Sequence, residues 1–436
     1  MEKPHRPPRF LWLLALTLIT LACATLNRNL PAPQQLPAEN ALSPSPNGLI
    51  AYLGTDGNLY TMDETGANPL AITQDAHSQN PSATIHLYQH PTWSPDGRHL
   101  AFVAQDFSGG EQTARLLVAD PLTAETTEIF TTEEETPFYL YWSPDNQTIS
   151  FLTSSPLATT LSLRLAFLNG EPSRVADTGQ PYYWVWSPDG AEIFVHKGGA
   201  QETNPEARLT RFFSADGKTQ TFPLAPGRFQ APGWSPDGTQ FLAATGDALI
   251  IFDRDGIIRQ TITEYSLSIS ATWSPDGEKI AYLPTTEAGG GFVGPLTVQA
   301  PSGETFTTPE LSVFAYFWAP DSQKIAYFTF NSSDEVDATL ISTRAQQTIR
   351  LALHVMDTQT GATRRLISFQ PTDGLLTVLP YFDQYHHSAT IWSPDSTQLV
   401  YTALNGNGGA GVWVVPADGG TPTRIADGTQ AFWSWK

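Results

Sequence analysis

The sequence predicts an all-β fold, an eight-bladed β-propeller of four-stranded antiparallel blades, and three observations predict it. The stretch "PTWSPDGRHLAF" at residues 91–102 returns as "YWSPDNQTISF", "VWSPDGAEIFV", "GWSPDGTQFLA", "TWSPDGEKIAY", "FWAPDSQKIAY" and "IWSPDSTQLVY". Its tryptophans, Trp93, Trp142, Trp186, Trp234, Trp273, Trp318 and Trp392, are spaced by 49, 44, 48, 39, 45 and 74 residues. A period of roughly 40–50 residues belongs to units of four short strands. The two ends are also complementary. Residues 47–73 supply strands b, c and d without a tryptophan strand, and Trp433 in "TQAFWSWK" ends a strand a with nothing after it. Together they complete an eighth blade, close the ring and leave no unpaired edge.

In chain order, residues 1–9 carry Lys3, Arg6 and Arg9, and an apolar run fills residues 10–24. This is the pattern of a secretory signal, and the run is too short for a comfortable membrane span. Cys23, the single cysteine of the chain, stands at its end. "TLAC" resembles a bacterial lipoprotein signal, with Thr20 where Leu is usual, and implies cleavage before Cys23 and lipid attachment to its thiol. Ordinary cleavage near Ala22 or Ala24 is the alternative. Residues 1–22 are thus read as a lipoprotein-type signal peptide, 23–46 as a proline-rich tether, and 47–436 as the propeller. One cysteine allows no internal disulfide, so stability must come from packing.

Each unit reads alike. Strand a ends in Trp, "SPDG" turns the chain, and strand b follows, as in "RHLAFVA". Strand c has the pattern of "RLLVAD" or "ALIIFD", and strand d is short, as in "TRRLIS". β-Branched residues mark the strands, and Asp-Gly, Thr-Gly and Asn-Gly pairs mark the turns. Proline presets φ in the turn, Asp suits the next position, and Gly tolerates positive φ at the fourth. Asn146 is the next best residue there, whereas Ser322 and Ser396 are poorer, so those turns are expected to differ. Each repeated Trp, Trp433 included, is expected between neighbouring blades, where burial removes ~150–250 Å² of side chain from water. A ring of seven functional Asp carboxylates is disfavoured, because turn chemistry already explains them.

The pattern "WSPDG…IAF…LYTMD…G…L…IT" resembles the TolB-like, WD-repeat-like (PD40-type) propeller family over nearly all of residues 47–435. That resemblance is specific for the repeat and much less so for function, since the family includes partner-binding envelope proteins and the propeller portions of peptidases. Unlike the protein that gives the family its name, the sequence has no separate N-terminal domain before the repeats. That protein's partner is therefore not carried over.

The composition narrows function further. The 436 residues carry 43 acidic against 23 basic side chains, a net charge of −20, which argues against nucleic acid as a partner. There is no G-x-S-x-G elbow, phosphate loop, H-E-x-x-H or cysteine pair, so neither a catalytic residue nor a cofactor is assigned.

Tight a–b turns occupy one face, and elaboration belongs on the other, where b–c and d–a loops run. Long segments there are 331–350, 370–390 and 74–92. The last two bring His77, His86, Tyr88 and His90, and Tyr381, Phe382, Asp383, Tyr385, His386 and His387, to what is expected to be a shared mouth. A metal held by His86, His90, His386 and His387 is disfavoured for want of tight ligand spacing, and none is assigned. Strand a is expected to line the channel with Tyr139, Tyr183, Ala231, Ser270, Ala315 and Ala389, each three residues before its Trp.

The expectation is an exported, monomeric protein anchored by lipid to the outer side of the cytoplasmic membrane or to the outer membrane. It would bind an envelope protein, a peptide or a glycan. The rival is a lyase or hydrolase at the channel mouth, which a hydrogen-bonded His–Asp pair would favour.

Overall fold

The computed structural model describes residues 47–76, 84–228, 231–286, 293–331 and 349–436. The signal segment, the tether with Cys23, His77 and residues 332–348 of the long insertion lie outside the described residues. Among the described residues no helix is long and apolar enough to cross a membrane.

The sequence pattern resolves into antiparallel sheets. Residues 85–132, 136–179, 182–221, 233–264 and 269–307 each form one sheet of four strands in chain order. A sixth four-stranded sheet draws on both ends of the chain: Gly428–Trp433 pairs with Ile50–Gly54, which continues into Leu59–Met62 and Leu70–Ala71. Its register sets Ile50 opposite Trp433 and Tyr52 opposite Ala431.

One region departs from the expected four-strand pattern. The strands from Val313–Trp318 to Thr363–Pro371 continue through Gln370 opposite Leu404, and Pro371 opposite Ala403, into a seven-stranded sheet. Around Trp392 no ladder forms; Trp392 makes an isolated bridge to Leu399, and Thr390 makes one to Trp433. The cause is the segment that precedes Trp392, which takes a different course, described below.

The repeated tryptophans join one unit to the preceding one, as their size and single donor suggest. Trp142 Nε1 donates to Thr92 O at 3.1 Å, Trp392 to Phe317 O at 2.9 Å, and Trp93 to Phe432 O at 3.3 Å. Each acceptor is the residue just before the preceding unit's tryptophan. Trp318 uses the same position through Thr272 Oγ1 at 3.0 Å. Trp186 turns instead to Ser150 Oγ at 2.9 Å, and Trp433 to Asn47 O at 2.7 Å.

The aspartates of the repeat are consumed by their own turns. Ser94 Oγ donates to Asp96 at 2.7 Å and accepts from the His99 amide at 2.9 Å, while Asp96 accepts from the Arg98 amide at 3.0 Å. Ser235, Asp237 and Thr239 repeat the arrangement, and the Ser235 hydroxyl, then the Thr239 amide, hold the Asp237 carboxyl below its usual range. The turns without Gly differ less in backbone than expected. Asn146, Ser322 and Ser396 keep positive φ, at 61°, 60° and 61°. Their side chains accept from the amides of Asp96, Asp276 and Asp321 in the preceding unit's turn. An inter-unit bond thus replaces glycine's conformational freedom.

Candidate functional site

Residues 372–387, read from sequence as part of a surface loop, run through the interior instead. Thr372 caps the short helix Asp373–Leu376, accepting from the Leu375 amide at 3.3 Å and donating to Thr429 O at 2.6 Å. A Cβ on Gly374 would collide with the Thr429 carbonyl, so only glycine fits so near the strand Gly428–Trp433. Gln430 Nε2 fastens the Gly374 carbonyl at 3.1 Å.

A 3-10 turn, Leu379–Tyr381, and a second short helix, Phe382–Tyr385, carry the chain inward. Phe382 packs on Tyr316 with ring centroids 4.7 Å apart. Asp383 accepts from the Ala231 amide at 3.0 Å and from Ser270. Gln384 accepts from the Trp184 amide at 3.1 Å and donates to Trp184 O at 2.8 Å and to the Tyr139 hydroxyl at 2.7 Å. Tyr139 in turn donates to Gln384 O at 2.7 Å. Tyr385 meets Tyr139 edge-on at 4.8 Å, and His387 stacks on Tyr141 at 5.4 Å.

The segment therefore touches six units, five of them at their strands and the Trp234 unit at Ala231, just before its strand. Tyr139, Ala231 and Ser270, expected to line a channel, bond to it directly, and Gln430 joins them at the same offset from its own Trp. His90 shares that offset too. His90 and Tyr139 take φ of 56° and 46° at matching irregularities of their strands.

The plug is buried along most of its length. Phe382, Asp383 and Gln384 are buried, Tyr385, His386 and His387 half-buried, and Tyr381 is exposed. Burial raises the Asp383 carboxyl to about 6 against the pull of the Ala231 amide. Burial likewise lowers His386 to about 4, and burial with the neighbouring His386 lowers His387 well below the usual imidazole range. At neutral pH the plug thus holds two neutral imidazoles and a carboxylate kept in place by main-chain donors.

Where the tryptophan strands end, on the side of the "SPDG" turns, a cavity of about 200 Å³ remains. Trp234, Trp273, Trp318 and Trp435 line it, with His386 and His387 reaching it from the plug. Trp234 Nε1, Trp273 Nε1, His386 Nδ1 and His387 Nε2 are buried without a hydrogen-bond partner among the described residues.

His86 and Tyr88 lie elsewhere, within the strand Ile85–Trp93 rather than in a loop. His86 Nδ1 is 2.6 Å from Asp106 Oδ1, Arg115 pairs with the same carboxylate at 2.6 Å, and Tyr88 donates to Asp75 at 2.5 Å. Burial, with the bond to Asp75, raises the Tyr88 hydroxyl above its usual range. His90 is buried further along the strand, which lowers it to about 4. Among the described residues no hydrogen bond, ion pair or ring contact joins this group to residues 381–387. His86 and Tyr88 thus belong to one hydrogen-bonded group and residues 383–387 to another. The four histidines weighed as metal ligands are not gathered, and no cluster of three His, Cys, Asp or Glu suited to a metal occurs among the described residues.

Sequence reasoning missed Gln384, Gln430 and Trp435. A signal for the first was present: Leu375, Val378, Leu379 and Phe382 follow the i, i+3, i+4, i+7 spacing of a helical face. All four are buried. Gln430 was marked only by its place three residues before Trp433, and nothing in the sequence marked Trp435.

No family model matches the chain, and no curated protein sequence matches it. Among solved structures, it is similar to a dihydro-haem d1 dehydrogenase in complex with DHE, at 14% identity and a TM-score of 0.52, over 92% of this chain and 78% of that one. It is similar to an oligogalacturonate lyase in complex with manganese, at 15% identity and a TM-score of 0.50, over 84% of this chain and 95% of that one. The lyase is a propeller structure. The chain folds as a β-propeller. TolB from Acinetobacter baumannii also matches, at 12% identity and a TM-score of 0.37, over 80% of this chain and 82% of that one. At such identities the likeness extends to the propeller fold alone.

Proposed function

We propose that this propeller has eight blades closed by its own termini, is exported and lipid-anchored through Cys23, and binds an envelope protein, peptide or glycan on the face of its b–c and d–a connections. The pairing of Gly428–Trp433 with Ile50–Gly54 supports the closure. Counting the seven-stranded sheet as two blades supports the number.

The binding face rests on one observation. Of the ten large, exposed apolar side chains among the described residues, six (Ile85, Leu157, Leu311, Phe330, Ile349 and Tyr381) stand at a strand end or loop on that face, and four (Val175, Phe213, Ile257 and Ile258) stand at the c–d end. The larger share of exposed apolar groups on one face favours that face as an interaction surface. The same face carries a pocket of about 510 Å³ among its b–c and d–a connections, with Glu202, Arg228, Asp247 and Tyr265 in its lining.

The test is crosslinking in the cells that make the protein. Leu157→Asp and Leu311→Asp should lose the captured partner, whereas Ile257→Asp, exposed at a c–d turn, should keep it. Equal capture by all three variants would refute the assigned face. A second reading, an enzyme, draws on the His86–Asp106 pair with Asp75 and Tyr88 beside it. It requires turnover that His86→Gln abolishes while the unfolding midpoint stays unchanged.

A further inference from the structure

The strand that leads into Trp234 is cut short. Those entering Trp93, Trp142, Trp186, Trp273, Trp318 and Trp433 run five to nine residues, whereas Gly233–Trp234 has two. Pro226 and Pro232 stand where that strand would begin, and proline gives a ladder no N–H. What remains of the pairing is an isolated bridge from Pro226 to Thr245 and a bond from the Gly227 amide to Ala244 O at 3.0 Å. Beside this connection lies the cleft of about 510 Å³, walled by residues 200–202, 225–228, 246–247 and 265–267 of the b–c and d–a connections of the Trp186 and Trp234 units.

Hydrogen bonds fix these walls. The Tyr265 hydroxyl donates to Gly246 O at 2.9 Å and accepts from the Arg228 amide. The Gln201 amide donates to Pro226 O at 2.9 Å. A Cβ on Gly227 would lie 2.1 Å from the Tyr265 hydroxyl, so only glycine permits this approach. The charged side chains above these walls are uncommitted. Arg164, Arg211, Arg254 and Arg259 each pair with a carboxylate of the chain. Arg228 does not, although Glu202 and Asp247 share its cleft and Asp247 lies, like Arg228, within electrostatic reach of the Tyr265 hydroxyl. Among the described residues no hydrogen bond or ion pair engages the side chains of Glu202, Arg228 or Asp247, and all three are exposed. A ligand can therefore reach them, and the pinned main chain of Arg228 sets its cation in place beforehand.

These charges select by sign. A carboxylate alone would answer Arg228 but meet Glu202 and Asp247 with like charge, in a chain of net charge −20. A diamine would answer the carboxylates and oppose Arg228. A neutral sugar would leave all three charges without a counter-ion. A molecule with an ammonium at one end and a carboxylate at the other answers both signs, and a guanidinium matches a carboxylate bidentately. The volume suits roughly two or three residues of peptide rather than the surface of a folded protein.

We propose that this cleft binds a short peptide by its charged ends, the α-carboxylate on Arg228 and the α-ammonium on Glu202 or Asp247. The proposal deepens the loop-face reading and rests on it, because the cleft opens on that face.

The experiment titrates the full chain with trialanine, N-acetyl-trialanine, trialanine amide, succinate and putrescine, following heat and melting temperature. Trialanine should bind saturably and raise the melting temperature, as any ligand specific for the folded state does. Capping either end should weaken binding about tenfold. Arg228→Gln should weaken trialanine by a similar factor yet leave trialanine amide unchanged, a pattern that general loss of structure would not give. Arg98→Gln, at an "SPDG" turn, should leave every affinity unchanged. The proposal is overturned if trialanine does not saturate, if a capped peptide binds as tightly, if succinate or putrescine binds more tightly, or if folded Arg228→Gln keeps the native affinity. Saturable trialanine binding together with equal capture by the Leu157→Asp and Leu311→Asp variants would refute the broad contact alone. Lost capture by those variants without trialanine binding would refute the cleft alone.

Discussion

At the scale of single residues, environment rather than identity assigns roles. Eight tryptophans occupy equivalent positions, yet among the described residues six have indole hydrogen-bond partners and two, Trp234 and Trp273, have none. Trp142→Phe should therefore cost about 1 kcal/mol of stability through the lost bond to Thr92. Trp273→Phe, with no such bond to lose, should cost measurably less in the same urea titration. Equal costs would mean that Trp273 has a partner within the chain after all.

Asp383 shows the same point through its charge. Its folded pKa of about 6 lies above the ordinary 3.8, so between these values the folded state holds more protons than the unfolded one. The contribution of Asp383 to stability falls as pH rises through that window, by about 3 kcal/mol at most. His386 and His387 act in the opposite sense, losing stability as pH falls below the ordinary imidazole value. Asp383→Asn, whose amide oxygen can still accept from Ala231, should remove the Asp383 contribution and raise the melting temperature at pH 7 relative to pH 4.5. A mutant with the native difference between the two pH values would refute the buried carboxylate.

At the scale of elements, the turn and the plug show what a repeat can absorb. The "SPDG" turn is written almost wholly in local sequence, because Ser, Asp and the amides they bind lie within five residues. What sequence could not show is that Asn146, Ser322 and Ser396 reach the neighbouring turn. Ser396→Ala keeps a Cβ at positive φ and loses the bond from the Asp321 amide, whereas Ser396→Gly loses the bond but relieves the backbone. The alanine variant should be the less stable of the two by about 1 kcal/mol. The reverse order in thermal unfolding would refute that account. The plug was misread for a related reason. Its aromatic and histidine content suits an exposed recognition loop, and only the helical spacing of Leu375, Val378, Leu379 and Phe382 argued otherwise.

At the scale of the whole molecule, the sheet shared between the ends makes folding depend on residues far apart in sequence. Gly428–Trp433 contributes the innermost strand to the sheet of Ile50–Gly54, and Ser434 Oγ accepts from the Leu49 amide at 2.9 Å. Deleting residues 428–436 removes that strand, Trp433 and the hold of Gln430 on the plug. The truncated chain should lose its cooperative unfolding transition or aggregate through the exposed edge, as calorimetry and light scattering would detect. A truncated chain that melts like the intact protein would refute the closure.

By itself, the sequence determined the repeat, its strands and turns, the pairing of its two ends, and which residues stand three before each tryptophan. These follow from short-range rules: strand alternation, turn stereochemistry and a motif seen seven times. Only the tertiary structure decided that residues 372–387 fill the interior, that His86 and His387 belong to different places, and that, among the described residues, Trp234 and Trp273 lack the hydrogen-bond partners their siblings have. Each of these depends on which side chains meet across separate units. Ala231, Ser270 and Ala315 leave room where Tyr139 and Tyr183 fill it, and the plug settles into that uneven space, a fit that arises only once the units are arranged in three dimensions.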